Sequence, residues 1–433
     1  MNKNSIFTLV FFLIFALVSA QDNSWTLTKC METALQNNIE IKIRQLEIKK
    51  TEKAQNSVLN RMLPTINLYG EQGYNFGSTI DPSTNGRVSS NIQNNNFYLN
   101  ARTNLIDFSA FANAQKDKLN IALAKADVEV IENEYKLQIL ESFYQVLYIQ
   151  ESLKIQKEQL KQASFNLDRI TKEVAIGSKP QSDLYDIQLS FSTEEIRNQE
   201  TEQLYAIKKT ELFQLMNVMD VKTDEVVLEP YFKEATKDFD NALFNPKIKL
   251  AELNYQNSLN SIRLEKASNY PVLSAYYGYS TFYYKNLKQV NANADSFFDQ
   301  LEDNKNQQVG MQLSIPIFNG FRNDKKISAS KIAGDKAKLE IEKEKQQVEK
   351  QVILEEKNKR NYSQLQYKLI EKQKFARASF VTTQSKFTSG KVEAIVYSSV
   401  KNQSLSADFE VLKNNLQLQY IDLKISLLRR NQL

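Results

Sequence analysis

Two rhythms of hydrophobic and polar residues alternate along this chain. In the first, apolar positions recur every second residue. Ile66, Leu68 and Gly70 alternate with Asn67, Tyr69 and Glu71, and Phe97, Leu99, Ala101, Thr103 and Leu105 with Tyr98, Asn100, Arg102 and Asn104. Val309, Met311, Leu313 and Ile315 alternate in the same way with Gly310, Gln312 and Ser314. This period predicts strands with one apolar and one polar face at about 65–76, 97–106 and 308–318, and the aromatic stretch after Pro271 reads as a fourth at about 272–284. Pro64 and Pro271 end a helix and open each extended stretch. Tyr276, Tyr277, Tyr279, Phe282, Tyr283 and Tyr284 give one strand the aromatic excess of a membrane interface. Alternation alone does not separate a lipid-facing strand from a soluble hairpin. The segments Gly77–Asn96 and Lys285–Asn306 have neither rhythm and read as long polar loops.

The second rhythm is helical and very long. From Ala112 to Ile176 there is no Gly or Pro in 65 residues, and from Phe321 to Ser389 there is only Gly334. A helix of 65 residues reaches roughly 100 Å, more than any compact domain needs. Ile327, Ile332, Leu339, Ile341, Val348 and Val352 recur at mixed spacings, which predicts packing on several neighbours and not a two-stranded zipper. Shorter helices are predicted at Thr28–Asn60, Ser182–Asn217, Asn241–Ser268 and Lys391–Arg430. The second and third of these, 36 and 28 residues, would match one long helix if stacked end to end. Val218–Asp240, with Pro230, would form a waist between them.

The whole plan occurs twice. Asn38-x-x-Ile41 and Leu63-Pro64 return 207 residues later as Asn245-x-x-Ile248 and Tyr270-Pro271. Phe108-x-x-Phe111 returns as Phe318-x-x-Phe321, and Val174-x-x-Gly177 as Phe387-x-x-Gly390. A repeat this long requires each half to build the same supersecondary unit. The expected boundaries are 21–240 and 241–433, each running helix, strand, strand, long helix, turn, helix. Residues 1–20 read as an export signal. Lys3 precedes an apolar run from Ile6 to Val18, too short for the roughly 20 residues of a membrane span, and Val18-Ser19-Ala20 fits a cleavage site.

Composition then narrows the chemistry. The chain has 433 residues and no histidine, which excludes His-based acid–base and nucleophile systems and the usual zinc ligands. Its 10 Gly and 7 Pro are about a third of what a globular enzyme of this size carries. A net charge of +5, without an isolated Lys/Arg cluster, gives nucleic-acid binding little support. The single Cys30 cannot form an internal disulfide and reads as a small core residue. No phosphate-binding Gly-rich loop is present, so neither enzyme activity nor a cofactor is expected.

Four amphipathic strands cannot close a barrel, and an open sheet edge is forbidden in lipid. The smallest closed barrels have eight strands, so a membrane reading requires several copies. The paired Asn38/Asn245, Pro64/Pro271, Phe108-x-x-Phe111/Phe318-x-x-Phe321 and Gly177/Gly390, in one order in both halves, resemble the outer-membrane efflux protein family of TolC-type ducts. The resemblance covers Trp25 to Leu433. It implies a mainly α fold with a small β-barrel contribution: a homotrimer with a trimeric α-barrel below a 12-stranded outer-membrane β-barrel. It also implies a passive exit duct of a tripartite efflux or type I secretion system. Such a duct sits in outer-membrane lipid of a Gram-negative bacterium, extends into the periplasm, and works with a periplasmic adapter and an inner-membrane transporter.

The resemblance also assigns roles to residues. Gly177, Lys179 and Pro180, with Gly390, Lys391 and Glu393, become helix-hairpin tips that dock the adapter. The family's acidic ring would fall at Val396 and Ser399, so it is missing there. Asp183 and Asp186 stand at the matching positions of the first half and could form a cation-attracting pore constriction. Equally, they are first-turn residues favoured by the helix dipole. The family's Tyr and Arg links at the second tip are replaced by Phe387 and Val392. A periplasmic coiled-coil adapter or scaffold is the alternative, although the Gly- and Val-rich modules of adapters are not found.

Overall fold

The computed structural model describes residues 24–80, 85–89, 91–219, 226–231, 243–288 and 295–432. The expected export signal lies outside them. Nine helices and eight strands follow in the order β1 (Ser24–Trp25), α1 (Leu27–Asn37), α2 (Ile39–Ala54), α3 (Val58–Arg61), β2 (Thr65–Asn75), β3 (Ser78–Ile80), β4 (Arg87–Ser89), β5 (Ile92–Ile106), α4 (Phe108–Ala175), α5 (Gln181–Leu215), β6 (Val227–Leu228), α6 (Pro246–Ala267), β7 (Val272–Asn286), α7 (Phe297–Asp303), β8 (Asn306–Ser314), α8 (Arg322–Thr388) and α9 (Ala394–Arg430) among the described residues. The long helices α4 and α8 have 68 and 67 residues.

Contacts group the chain into two compact units, each drawing on both sequence repeats. Of the described residues, one unit contains those up to Gln45, those of Ala126–Lys249 and those of Lys343–Leu433, and the other those of Leu46–Lys125 and Leu250–Glu342. The first is helical. Its short parallel pair β1–β6 is held by the buried Gln150, which accepts from Leu228 N at 2.9 Å and donates to Leu228 O at 2.8 Å. A side-chain amide thus completes backbone hydrogen bonding where no further strand is present. Most of the expected waist beyond these residues lies outside the described ones.

Two helical expectations change. Thr28–Asn60 is not one helix but three, because two side chains restart it. Asn38 is extended (φ −63°, ψ 120°) and its Oδ1 accepts from Ile41 N at 3.0 Å, while Ser57 Oγ accepts from Asn60 N at 3.1 Å. Both are N-caps, which spacing alone does not reveal. The end-to-end stacking also differs. α6 begins at the end of α9, not of α5: Phe244 N donates to Arg429 O at 2.7 Å, and Asn245 Nδ2 to Leu428 O at 2.7 Å. The end of α5 instead meets the start of α2, where Asn217 Nδ2 donates to Asn37 O at 3.4 Å. Stacking therefore stays within each repeat. The repeated Asn-x-x-Ile has a physical cause, since each Asn starts a helix and Ile41 and Ile248 are buried in its first turn.

The second unit holds a four-stranded antiparallel sheet in the order β2-β5-β7-β8. Its register places Leu68, Leu99, Tyr279 and Gln307 in one row and Ile66, Ala101, Tyr277 and Val309 in the next, on the apolar face. Asn67, Asn100, Gly278 and Gln308 share the opposite, polar face. The chain itself does not cover the apolar face: Leu68 is 73% exposed, Val309 82% and Met311 71%.

The sheet also extends into the expected polar loops. β5 starts at Ile92, because Gln93 to Asn96 are polar on both faces and so show no alternation, yet still pair with β2. β3 and β4 form a further hairpin, and α7 stands within the second loop, capped by Ser296. That helix has a clear role. β8 pairs with β7 only up to Ser280, and α7 covers the edge above it, with Gln300 Oε1 accepting from Tyr284 N and Asn304 Nδ2 donating to Phe282 O, each at 2.9 Å. β8 ends at Ser314, short of the expected 318, where its partner β7 runs out at Val272 and Pro316 has no N–H to offer.

Candidate functional site

Both helix hairpins turn by the same backbone device. Gly177 has φ +74° and Gly390 φ +73°, the left-handed conformation that glycine adopts without strain. Gly177 N donates to Val174 O at 3.0 Å and Ser178 N to Glu173 O at 2.8 Å. Gly390 N donates to Phe387 O at 3.1 Å and Lys391 N to Lys386 O at 2.8 Å. Each is a Schellman motif that satisfies the last carbonyls of a long helix. Three residues on, Pro180 (φ −73°, ψ 155°) and Glu393 (φ −71°, ψ 158°) start the return helix in matching conformations.

The tips are joined by Phe387 and Lys179, which the sequence reading named separately, and by Arg169, Asn166 and Tyr397, which it did not single out. Phe387 is fully buried and stacks on Tyr397, with ring centroids 4.5 Å apart. Arg169 and Lys179 from the first hairpin lie 5.0 and 4.9 Å from the Phe387 centroid. Asn166 Nδ2 donates to Tyr397 Oη at 2.9 Å. Ile170, Ile187 and Ala394 complete this apolar cluster. Two cations on one desolvated ring are a cation–π arrangement across the two hairpins. Burial pushes the Tyr397 hydroxyl above the ordinary tyrosine value, so it stays protonated and able to donate.

An open cleft of about 460 Å³ lies between the tips, lined by Lys179, Pro180, Asp183, Gly390, Lys391 and Glu393 among others. Gly177 and Asp186 do not line it. Asp183 is 7% exposed and paired with Lys179 Nζ at 3.0 Å, so its charge is answered within the chain. Asp186 is half-buried. Beyond the tips, Lys401 on α9 and Glu194 on α5 form a buried ion pair at 3.3 Å, both side chains 4% exposed.

Several other ionisable groups serve structure. Burial pushes the Cys30 thiol up to about 12, so it remains an unreactive core group. Asp107 is the cap of α4: Ser109 N donates to its Oδ1 at 2.9 Å and Asn104 Nδ2 to its Oδ2 at 3.1 Å. Burial opposes ionisation of Asp107, yet the bonds from Ser109, Asn104 and Ala110 outweigh it and hold the carboxyl below its ordinary value. Among the described residues no helix is long and apolar enough to cross a membrane.

The comparisons with known proteins bear on the family and the fold. A sequence model of the outer membrane efflux protein family matches residues 30–218 and 242–427, and the chain belongs to that family. The two matched stretches follow the two repeats. Solved structures share the fold. VceC from Vibrio cholerae, an outer membrane protein, has a TM-score of 0.75 at 12% identity over 93% of this chain and 96% of its own. The Campylobacter jejuni CmeC outer membrane channel gives 0.74 at 12% identity, covering 93% and 85%. The open state of the Neisseria gonorrhoeae MtrE outer membrane channel gives 0.71 at 14% identity, covering 94% and 89%. No curated protein matches the chain in sequence.

Proposed function

We propose that this protein is a passive outer-membrane exit duct, assembled from three copies and extending into the periplasm of a Gram-negative bacterium. The observation that carries the reading is the sheet. It has an uncovered apolar face, a polar face and two edge strands, β2 and β8, that each have one partner among the described residues. Such edges are not tolerated in lipid, so other copies must close them. Four antiparallel strands leave β2 and β8 running in opposite directions, so β8 of one copy pairs antiparallel with β2 of the next, and the ring closes head to tail. Two copies would give eight strands, whose interior side chains fill. Three give twelve and leave a lumen lined by the polar face, continued by twelve helices in the periplasm.

In this reading the duct serves a tripartite efflux or type I secretion system and draws energy from an inner-membrane transporter. The cleft at the tips, with Lys179, Pro180, Gly390, Lys391 and Glu393 and the turn glycine Gly177, docks hairpins of a periplasmic adapter. Asp186 carries the pore constriction, while the charge of Asp183 is answered by Lys179. The test is the native mass of protein extracted by detergent from purified outer membranes. Three copies support the duct. A monomer in the soluble periplasmic fraction rejects it in favour of an adapter or scaffold.

A further inference from the structure

The polar face of the sheet carries charge at two positions only. Its rows, read across β2, β5, β7 and β8, run Thr65/Arg102/Tyr276/Gly310, then Asn67/Asn100/Gly278/Gln308, then Tyr69/Tyr98/Ser280/Asn306. Glu71 follows opposite Asn96 and Phe282, and below Arg102 come Asn104, Ser274 and Gln312. Glu71 is thus six residues along the strands from the Arg102 row, roughly 20 Å at about 3.3 Å per residue. That is about twice the screening length at physiological salt, so Glu71 does not neutralise Arg102.

Arg102 is exposed and held in place by neutral groups. Its Nη2 donates to Gln312 Oε1 at 3.1 Å and Ser274 Oγ at 3.4 Å, which lays the guanidinium across β7 toward β8. Ser274 Oγ in turn donates to Asn104 Oδ1 at 2.9 Å, so amide and hydroxyl groups separate Arg102 from Asp107. No carboxylate pairs with Arg102 among the described residues. Arg61 lines the same open cleft of about 510 Å³, but its charge is answered by Asp117 at 2.5 Å. Tyr276, Arg102's neighbour in register, lies over Gly310, where an added Cβ would fall 2.5 Å from its hydroxyl. The ring is therefore folded away onto β8. The strand that meets β2 in a closed ring brings no charge either, because Asn306–Ser314 has no ionisable side chain.

We infer that Arg102 is an anion-attracting station on the inner wall of the barrel, three to a ring, acting on carboxylate- or phosphate-bearing solutes and small anions. The inference rests on the duct reading. A guanidinium with neutral partners keeps free N–H groups and full charge for an oxyanion, and in a confined lumen a fixed charge sets local ion concentration.

The test is the reversal potential of the full-length protein in a planar bilayer under a KCl gradient. Wild type is compared with Arg102→Gln, Arg102→Lys and Gln312→Glu. The last places a carboxylate beside the guanidinium without altering Arg102. Arg102→Gln and Gln312→Glu should each raise the cation-to-anion permeability ratio roughly threefold, and Arg102→Lys should leave it near wild type. Conducting channels whose ratio is unchanged in both neutralising variants overturn the inference and leave the duct intact. Wild-type protein that inserts but never conducts overturns the duct reading, and the inference with it.

Discussion

The two hairpin tips have one backbone and two chemistries. Gly177 and Gly390 differ by one degree in φ, close the same two hydrogen bonds and hand over to helix starts of the same conformation. Around them the side chains diverge. The first tip supplies charge through Arg169, Lys179, Asp183 and Asp186, and the second supplies the rings Phe387 and Tyr397, with Val396 and Ser399 where the first has Asp183 and Asp186. Duplication therefore preserved what reverses the chain and released the side chains around it. The halves became complementary, since the cations of one now rest on the aromatic ring of the other.

The comparison is broken most severely at its asymmetric contact. Phe387→Ala empties a fully buried site and should cost about 3–5 kcal/mol, whereas Val174→Ala at the equivalent, half-buried position should cost about 1 kcal/mol. Denaturant unfolding of the detergent-solubilised protein measures both. Equal losses would show that the ring is not the joint between the tips. The symmetric element responds less. Gly177→Ala and Gly390→Ala each force a side chain into the left-handed region with no atom within 4 Å to clash, so each should cost about 1–2 kcal/mol, and the two should agree. A large difference would mean the shared backbone is not equally determined.

The smallest effect concerns the starts of the long helices. Asp107 caps α4, while Ile317 stands at its counterpart and α8 starts later, after Gly320 and Phe321 turn at positive φ. A carboxyl held below its ordinary value of about 3.8 contributes stability that is complete above that value. It is lost as pH falls through the lower native value. The gap in unfolding temperature between wild type and Asp107→Asn should therefore be present at about pH 6 and shrink below about pH 4. A gap independent of pH would assign the cap to geometry and not to charge.

The sequence disclosed what has a period. Period-two alternation located three strands, the aromatic run after Pro271 the fourth, and missing Gly and Pro the long helices, because these signals are local and repeated. It was silent where one side chain decides. Asn38 and Ser57 split a helical run by accepting single hydrogen bonds, and Asn94 to Asn96 extend a strand whose faces are both polar. The Arg169–Phe387–Lys179 contact joins residues about two hundred positions apart and leaves no spacing to find. The expectation for Asp183 shows the same gap, since its partner Lys179 sits one helical turn away but only the fold buries the pair.

Single-channel recording of the folded, detergent-extracted protein tests the central claim most directly. The account predicts discrete steps that favour cations, with that preference reduced in Asp186→Asn. Folded trimers that insert yet give no steps, or steps indifferent to every charge at the tip, would contradict it.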